Sequence, residues 1–315
     1  SGTSADGVDA VLVELSGSTE HPNWTLLRSA SLDYPAPTRQ LILAIGQGEA
    51  KTASTLLNLS ETITKIQAAA ARQCDPEGQA QLVGCHGQTL WHRPPKNAET
   101  GALQPGASWQ MLQAPLLAQL LKRPVIFDFR AADLALGGQG APLVPKADAA
   151  LLGRTKGWRA LLNLGGIANL TLIPPDAGPD RLQPVRGWDC GPANSLIDLA
   201  MEQFSEGKES CDESGRLAET GQCDEALILR WLAEPYFQLS PPKSTGRELF
   251  GRADLTRRLQ EMQGQAIADQ IATLTAFSAA VVAQDLQQLS NQNHPLPIEL
   301  VVAGGGSQNL TLMRE

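Results

Sequence analysis

The stretch "WRALLNLGGIANLTLIPP", Trp158 to Pro175, constrains the fold more than any other part of the chain. Two apolar runs flank the adjacent glycines Gly165 and Gly166. Such runs read as strands, and a two-residue Gly-Gly link between them reads as a hairpin turn. A similar layout stands at the start, where "SGTSADGVDAVL" places Gly2 and Gly7 ahead of alternating apolar positions Val8, Ala10 and Leu12. That loop matches the second half of a hairpin whose first strand precedes Ser1. A third glycine loop, Gly304, Gly305 and Gly306, follows the apolar run "PIELVVA". Two halves that each open on a strand, a glycine loop and a strand predict a two-lobed α/β fold. The expected lobes are residues 1–150 and 151–315, each a mixed sheet flanked by helices, with the loops facing a shared cleft.

The segments between the loops agree with that class. "VDAVLVEL" and "WTLLRSASLDYP" read as strands joined by "HPN". "TRQLILAIGQG", the stretch from Ser54 to Gln73, and the stretch from Ile267 to Leu289 carry helical spacing. "APLLAQLLKRPVIFDFR" reads as helix, turn and strand, a crossover that requires a parallel component in a sheet. "GWDCGPANSLIDLAMEQF" reads as a loop that enters a helix near Ala193, and "PIELVVA" as a buried strand.

Composition narrows the function. With 315 residues, 42% of them hydrophobic and 18% charged, the chain affords a large interior. A net charge of −8 and a pI near 5.1 disfavour nucleic acid and anionic membrane as partners, because the field of the whole protein repels both. Five cysteines without a Cys-x-x-Cys pair point to a reducing compartment rather than a disulfide framework. No signal-like segment is visible and no apolar run reads as long enough to span a bilayer, so the expected location is the cytoplasm.

Each glycine loop is either a tight turn or a backbone cradle for phosphate. The commoner nucleotide signatures are absent: there is no G-x-x-x-x-G-K-[ST], and "AGGGSQN" is not G-x-G-x-x-G after an N-terminal strand. Asp189, in "GWDCGPAN", stands beside Trp188 ahead of a helix. There a carboxylate serves either as a general base, with burial raising its pKa, or as a helix cap or loop brace. His86 and His92 lack the clustered carboxylates or thiols of a metal site, which leaves them hydrogen-bonded structural roles. Cys190 reads as packing.

"SGTSADGVDAVL", "GCHGQTLWHRP", "DFRAADLALGGQGAPLVP", "LNLGGIANLTL", "WDCGPANSLID", "PPKSTGRELF" and "VVAGGGSQN" follow one another in this order. Over Ser1 to about Asn309 the sequence resembles the anhydro-N-acetylmuramic acid kinases, within the superfamily of actin-like ATPases and sugar kinases. The resemblance implies a two-lobed fold with its active site in the interlobe cleft, and ATP-dependent phosphorylation of 1,6-anhydro-N-acetylmuramic acid with hydrolytic opening of the anhydro ring. The product would be N-acetylmuramic acid 6-phosphate, an intermediate of peptidoglycan recycling.

By the same resemblance Asp189 is the general base. Gly2, Thr3, Ser4, Ala5, Asp6, Gly7, Val8 and Asp9 form the ATP-binding segment, and Asp6 or Asp9 contacts Mg2+ directly or through water. Gly165 and Gly166 form the second phosphate loop, and Gly304, Gly305 and Gly306 line the adenosine side. Thr89, Arg130, Lys243 and Arg247 are the sugar-side candidates, since a lactyl carboxylate offers cations a partner. For Lys243 and Arg247 the other reading is a solvated loop face. The resemblance also implies a homodimer.

Some positions depart from the family pattern. Ala131 and Ala132 stand where further arginines often follow "DFR". Gln110-Met111-Leu112 replaces a Gln-Ile-Gly stretch, after a longer loop. A strand is expected before Ser1, and beyond Glu315 a segment with a sugar-contacting glutamate and a packing helix. Two other functions stay open: a related small-metabolite kinase of the same fold, and a non-catalytic protein that binds ATP or sugar. An ATP-independent hydrolase would open the ring without nucleotide.

Overall fold

In the computed structural model, residues 5–19, 21–97, 103–153, 156–246, 249–291 and 294–315 are described. The chain divides into two compact units, Ser1–Gly140 and Ala141–Glu315.

In the first unit, strands β1 (Gly7–Gly17) and β2 (Pro22–Asp33) pair antiparallel, from Gly7 opposite Asp33 to Gly17 opposite Pro22, with an irregularity between Leu12 and Val13. Helices α1 (Ala36–Gly46) and α2 (Ala53–Cys74) follow. Thr52 caps α2, its hydroxyl accepting from the Thr55 N–H at 3.2 Å, which satisfies one of the unpaired donors at a helix start. Leu59, Ile63 and Ala70 recur on one face of α2 and meet Ala5, Val8, Ile42, Leu90 and Met111 in a small core. Next come β3 (Val83–Cys85), β4 (Gln88–Arg93), β5 (Lys96–Asn97), β6 (Leu103–Gln104), β7 (Ala107–Met111), α3 (Ala114–Leu121), β8 (Val125–Phe127) and α4 (Ala131–Ala135). Strand β8 runs parallel to β3, so the crossover through α3 supplies the expected parallel pairing. Strands β4 and β7 pair antiparallel, as do β5 and β6.

The second unit begins with α5 (Pro145–Leu152), followed by β9 (Arg159–Leu164), β10 (Ile167–Ile173), β11 (Arg186–Pro192), α6 (Ser195–Phe204), α7 (Arg216–Glu219), α8 (Glu225–Leu232), α9 (Arg252–Glu261), α10 (Ile267–Asn291) and β12 (Glu299–Ala303). Contacts place α5 with this unit, whereas the sequence puts the boundary at residue 150. Helix α5 packs on β10, and the Thr171 hydroxyl donates to the Asp148 carboxylate at 2.9 Å. Among the described residues the sheet order is β11-β10-β9-β12, antiparallel through the first three strands and parallel between β9 and β12. The α/β class expected from the sequence is therefore observed.

Three expectations need correction. Asp189 lies in a strand, β11, not in a loop, because Trp188 and its neighbours complete a ladder with β10. The residues Gly187, Gly191 and Pro192 around it mimic loop composition. Helix α10, by length and composition, is long and apolar enough to cross a bilayer. Its apolar face is used inside the unit instead: Leu274, Phe277, Val281 and Leu289 pack with Trp188, Leu196 and Trp231. Strand β12, expected to be buried, is exposed at most of its positions.

Candidate active site

The turn between β9 and β10 falls at Gly165 and Gly166 as the sequence requires, and its carbonyls are held by the start of α6. The Gly165 carbonyl accepts from the Asn194 N–H at 3.0 Å and from Asn194 Nδ2 at 2.9 Å. The Gly166 carbonyl accepts from the N–H groups of Ala193 at 2.9 Å and Ser195 at 3.0 Å. The third glycine loop closes on the same place. Gly304 adopts φ +88°, and a Cβ there would stand 2.6 Å from Asn163 Oδ1 and 2.7 Å from the Leu164 carbonyl. A Cβ on Gly306 would stand 2.6 Å from Leu164 Cβ, whereas Gly305 faces open space. Glycine is required at 304 and 306 by this close approach of two backbones. The structure thus brings Gly165 and Gly166 together with Gly304 and Gly306.

Asp189 belongs to the same neighbourhood. It stands opposite Asn169 across the β10–β11 ladder, at a bulge where the register shifts and Cys190 has no cross-strand partner. Bulges re-aim side chains and recur beside active sites. The Asp189 carboxylate accepts from Asn169 Nδ2 at Oδ1, and from the Thr245 N–H at Oδ2 with a distance of 2.9 Å. Asn169 in turn accepts from Asn163 Nδ2 at 3.3 Å, which links the carboxylate to the strand end beside Gly304. The residue is 2% exposed. Its main chain is fixed as well: the Asp189 N–H donates to the Lys243 carbonyl at 3.0 Å, and the Tyr236 hydroxyl donates to the Asp189 carbonyl at 2.8 Å.

Lys243 occupies neither a solvated loop face nor an open binding surface. Its ammonium lies 2.8 Å from Asp285 Oδ1 on α10, and both side chains are 2% exposed. The Trp188 indole N–H donates to the other oxygen of Asp285 at 2.8 Å. Burial pushes the Asp285 carboxyl up in pKa, against the pull of the Lys243 charge and of the hydrogen bonds from Lys243, Trp188 and Cys190. Burial and the adjacent carboxylates hold the Cys190 thiol well above its ordinary value, so it stays protonated and packs. Arg247 lies outside the described residues, as do Gly2, Thr3 and Ser4.

The remaining candidates belong to the first unit. Ala5 is fully buried at φ +54°, and Val8 packs into the core, so their side chains are committed to the fold. A Cβ on Gly7 would stand 2.3 Å from the Leu32 carbonyl, which explains glycine there. The Asp6 carbonyl accepts from the Tyr34 N–H at 2.9 Å, and its exposed carboxylate lies 3.4 Å from Arg39. Asp9 accepts from the Ser31 hydroxyl. The Thr89 hydroxyl donates to Gln110 Oε1 at 2.7 Å across β4 and β7. Arg130 donates to the Gly140 carbonyl at 2.5 Å and meets His86 Nε2 at 3.0 Å. His86 therefore has the structural hydrogen bond expected of it. His92 does not: 9% exposed, neither ring nitrogen finds a hydrogen-bond partner among the described residues, and burial together with the Arg130 charge lowers its pKa to about 4.

Asn163, Asn169, Tyr236, Thr245 and Asp285 were not singled out from the sequence. Asp285 carries a readable signal, as the one acid in the apolar run "AAVVAQDL".

The second unit is α/β, with a buried carboxylate on β11 and two glycine loops that approach each other at the end of β9. The profile of the anhydro-N-acetylmuramic acid kinase family matches residues 1–315, and the chain belongs to that family. An anhydro-N-acetylmuramic acid kinase of Synechococcus sp. (strain CC9311) is 92% identical over 315 residues, 100% of this chain and 82% of that protein. The same-named protein of Synechococcus sp. (strain CC9902) is 64% identical over 99% of this chain and 81% of its own length. One from Prochlorococcus marinus (strain MIT 9211) is 53% identical over 100% and 82%. Among solved structures, a ROK family glucokinase from Streptomyces griseus aligns with 96% of this chain and 97% of its own at 12% identity. Its TM-score of 0.32 is too low for a comparison of sites.

Proposed function

We propose that Asp189 is the general base of an ATP-dependent anhydro-N-acetylmuramic acid kinase. In this reaction Asp189 takes the proton of a water whose oxygen bonds to the anomeric carbon. The bond from that carbon to O6 breaks, O6 accepts the γ-phosphoryl group, and ADP leaves. The observation that carries the reading is the attachment of Asp189, whose two carboxylate oxygens are held by Asn169 and the Thr245 N–H at a strand bulge. A base pre-oriented in this way loses little freedom at the moment of proton transfer.

ATP is the co-substrate. Gly165 and Gly166, with Gly304, Gly305 and Gly306, are proposed to meet it in the second unit, and the segment Gly2 to Asp9 in the first. Mg2+ belongs to this proposal as the ion that supplies charge neutralisation at the phosphates. Among the described residues no three His, Cys, Asp or Glu side chains gather at metal distance. Mg2+ that keeps several waters and takes phosphate oxygens needs only one or two carboxylates, a demand that Asp6 fits. Thr89 and Arg130 remain proposed sugar contacts. Lys243 is better accounted for by its partner Asp285. The five free cysteines favour a reducing, cytoplasmic setting, and a homodimer is the expected assembly.

The test is Asp189→Asn in the full chain, with ATP binding and sugar-phosphate formation measured separately. Retained ATP binding with turnover reduced at least ~10³-fold is expected for a lost base acting with positioned neighbours. Near-normal turnover would overturn the assignment.

A further inference from the structure

The strongest unused polar group in the second unit is the buried ion pair of Lys243 and Asp285. Lysine and aspartate are almost never fully buried unless paired. A pair of apolar residues of similar volume generally serves stability as well or better. The pair's contacts show what else it does. Asp285 holds Trp188 through its indole N–H, and Cys190 through its thiol, and these two residues flank Asp189 in β11. Lys243 offers its carbonyl to the Asp189 N–H at 3.0 Å. Two residues on, the Thr245 N–H reaches the Asp189 carboxylate at 2.9 Å. The Lys243 ammonium also stands 5.1 Å from the ring centre of Tyr236, whose hydroxyl holds the Asp189 carbonyl. The residues on both sides of Asp189 and the segment across from it are thus tied to Asp285 and its lysine.

We infer that the Lys243–Asp285 pair is a positioning device for the kinase reaction: it pins the segment 243–245 against β11 so that the Asp189 carboxylate keeps one orientation. The inference rests on the reading of Asp189 as the base. A carboxylate that loses the Thr245 N–H loses one of the two anchors described here, and its orientation about the Cα–Cβ and Cβ–Cγ bonds is held less tightly. Misplacement of a reacting group by about 1 Å costs on the order of 100-fold in rate, with little effect on substrate affinity.

The experiment uses the full chain and three variants: Lys243→Met with Asp285→Leu together, which removes both charges and leaves neither unpaired; Asp285→Glu, which keeps the charge and shifts the carboxylate by one methylene; and Lys243→Arg, which keeps a cation of different shape. The kcat for sugar phosphorylation and the KM for sugar and ATP are measured beside the thermal midpoint. The expected result is a kcat lowered at least ~30-fold in the double variant and ~10-fold in Asp285→Glu, with each KM within about threefold, and a smaller loss in Lys243→Arg than in the double variant. A merely structural pair would move the thermal midpoint and leave kcat per folded molecule in place. A kcat within about threefold of the parent in a folded double variant overturns the inference. If the double variant does not fold, Asp285→Glu decides, and there a kcat within about twofold of the parent overturns it. Failure of the underlying reading is distinguishable, because it shows as turnover in Asp189→Asn. An inactive Asp189→Asn beside a fully active double variant refutes the positioning role alone.

Discussion

Replacing His92 by leucine should remove a defined part of the acid sensitivity of the first unit. The His92 ring folds uncharged, with its pKa lowered to about 4 from 6.5, because burial penalises the imidazolium and Arg130 repels it. In the unfolded chain the ring takes up its proton as pH falls through about 6.5, while the folded form resists until about 4. The folded pKa is the depressed one, so the stability contribution is fully present above the unfolded value and is lost as pH falls toward the folded value. Linkage across this window gives a loss of about 2 kcal/mol at about pH 5 and roughly 3 kcal/mol by about pH 4. At neutral pH the substitution should be neutral or stabilising, since it exchanges an imidazole without a described hydrogen-bond partner for an apolar group in a site only 9% exposed. The assay is calorimetric unfolding of parent and His92→Leu at about pH 7.5 and about pH 5. The parent's midpoint should fall by roughly 4–8 °C more than the variant's between the two conditions. Parallel pH dependence in the two proteins would refute the reasoning, since the imidazole would then not be the group that titrates.

Two further predictions concern the second unit. Gly304→Val, at φ +88° and with a Cβ that would fall 2.6 Å from Asn163 Oδ1, should weaken ATP binding at least ~10-fold and lower stability by roughly 1–3 kcal/mol; unchanged affinity in a nucleotide titration would remove the loop from the proposed site. Asn169→Ala deletes the donor to Asp189 Oδ1 and should lower kcat by ~10–100-fold with KM for ATP unchanged, which steady-state kinetics at saturating sugar will measure.

What was legible in the sequence was local. The Gly165-Gly166 hairpin, the β1–β2 pair, the α3 crossover and helix α10 all declare themselves through periodicity and turn chemistry within a few residues. The strand β11 did not, because its two glycines and a proline carry loop composition, and its identity comes from the ladder with β10. The fate of Lys243 was further out of reach. "PPKSTGRE" is polar throughout, and a polar, proline-led segment reads as surface. What buries its lysine is Asp285, 42 residues away on α10. That helix exposes the clue in a different form: one acid within the run "AAVVAQDL", at a position whose neighbours Val281, Val282 and Leu289 all face the core. An acid in such a place requires a cation from another element, and a buried cation requires the acid, so each explains the other only when both are placed. The same reasoning applies to Asp189, the proposed base, whose holders, Asn169 and Thr245, come from a neighbouring strand and a distant segment. Local pattern therefore singles out the proposed base, and long-range polar pairing determines how rigidly its carboxylate is held.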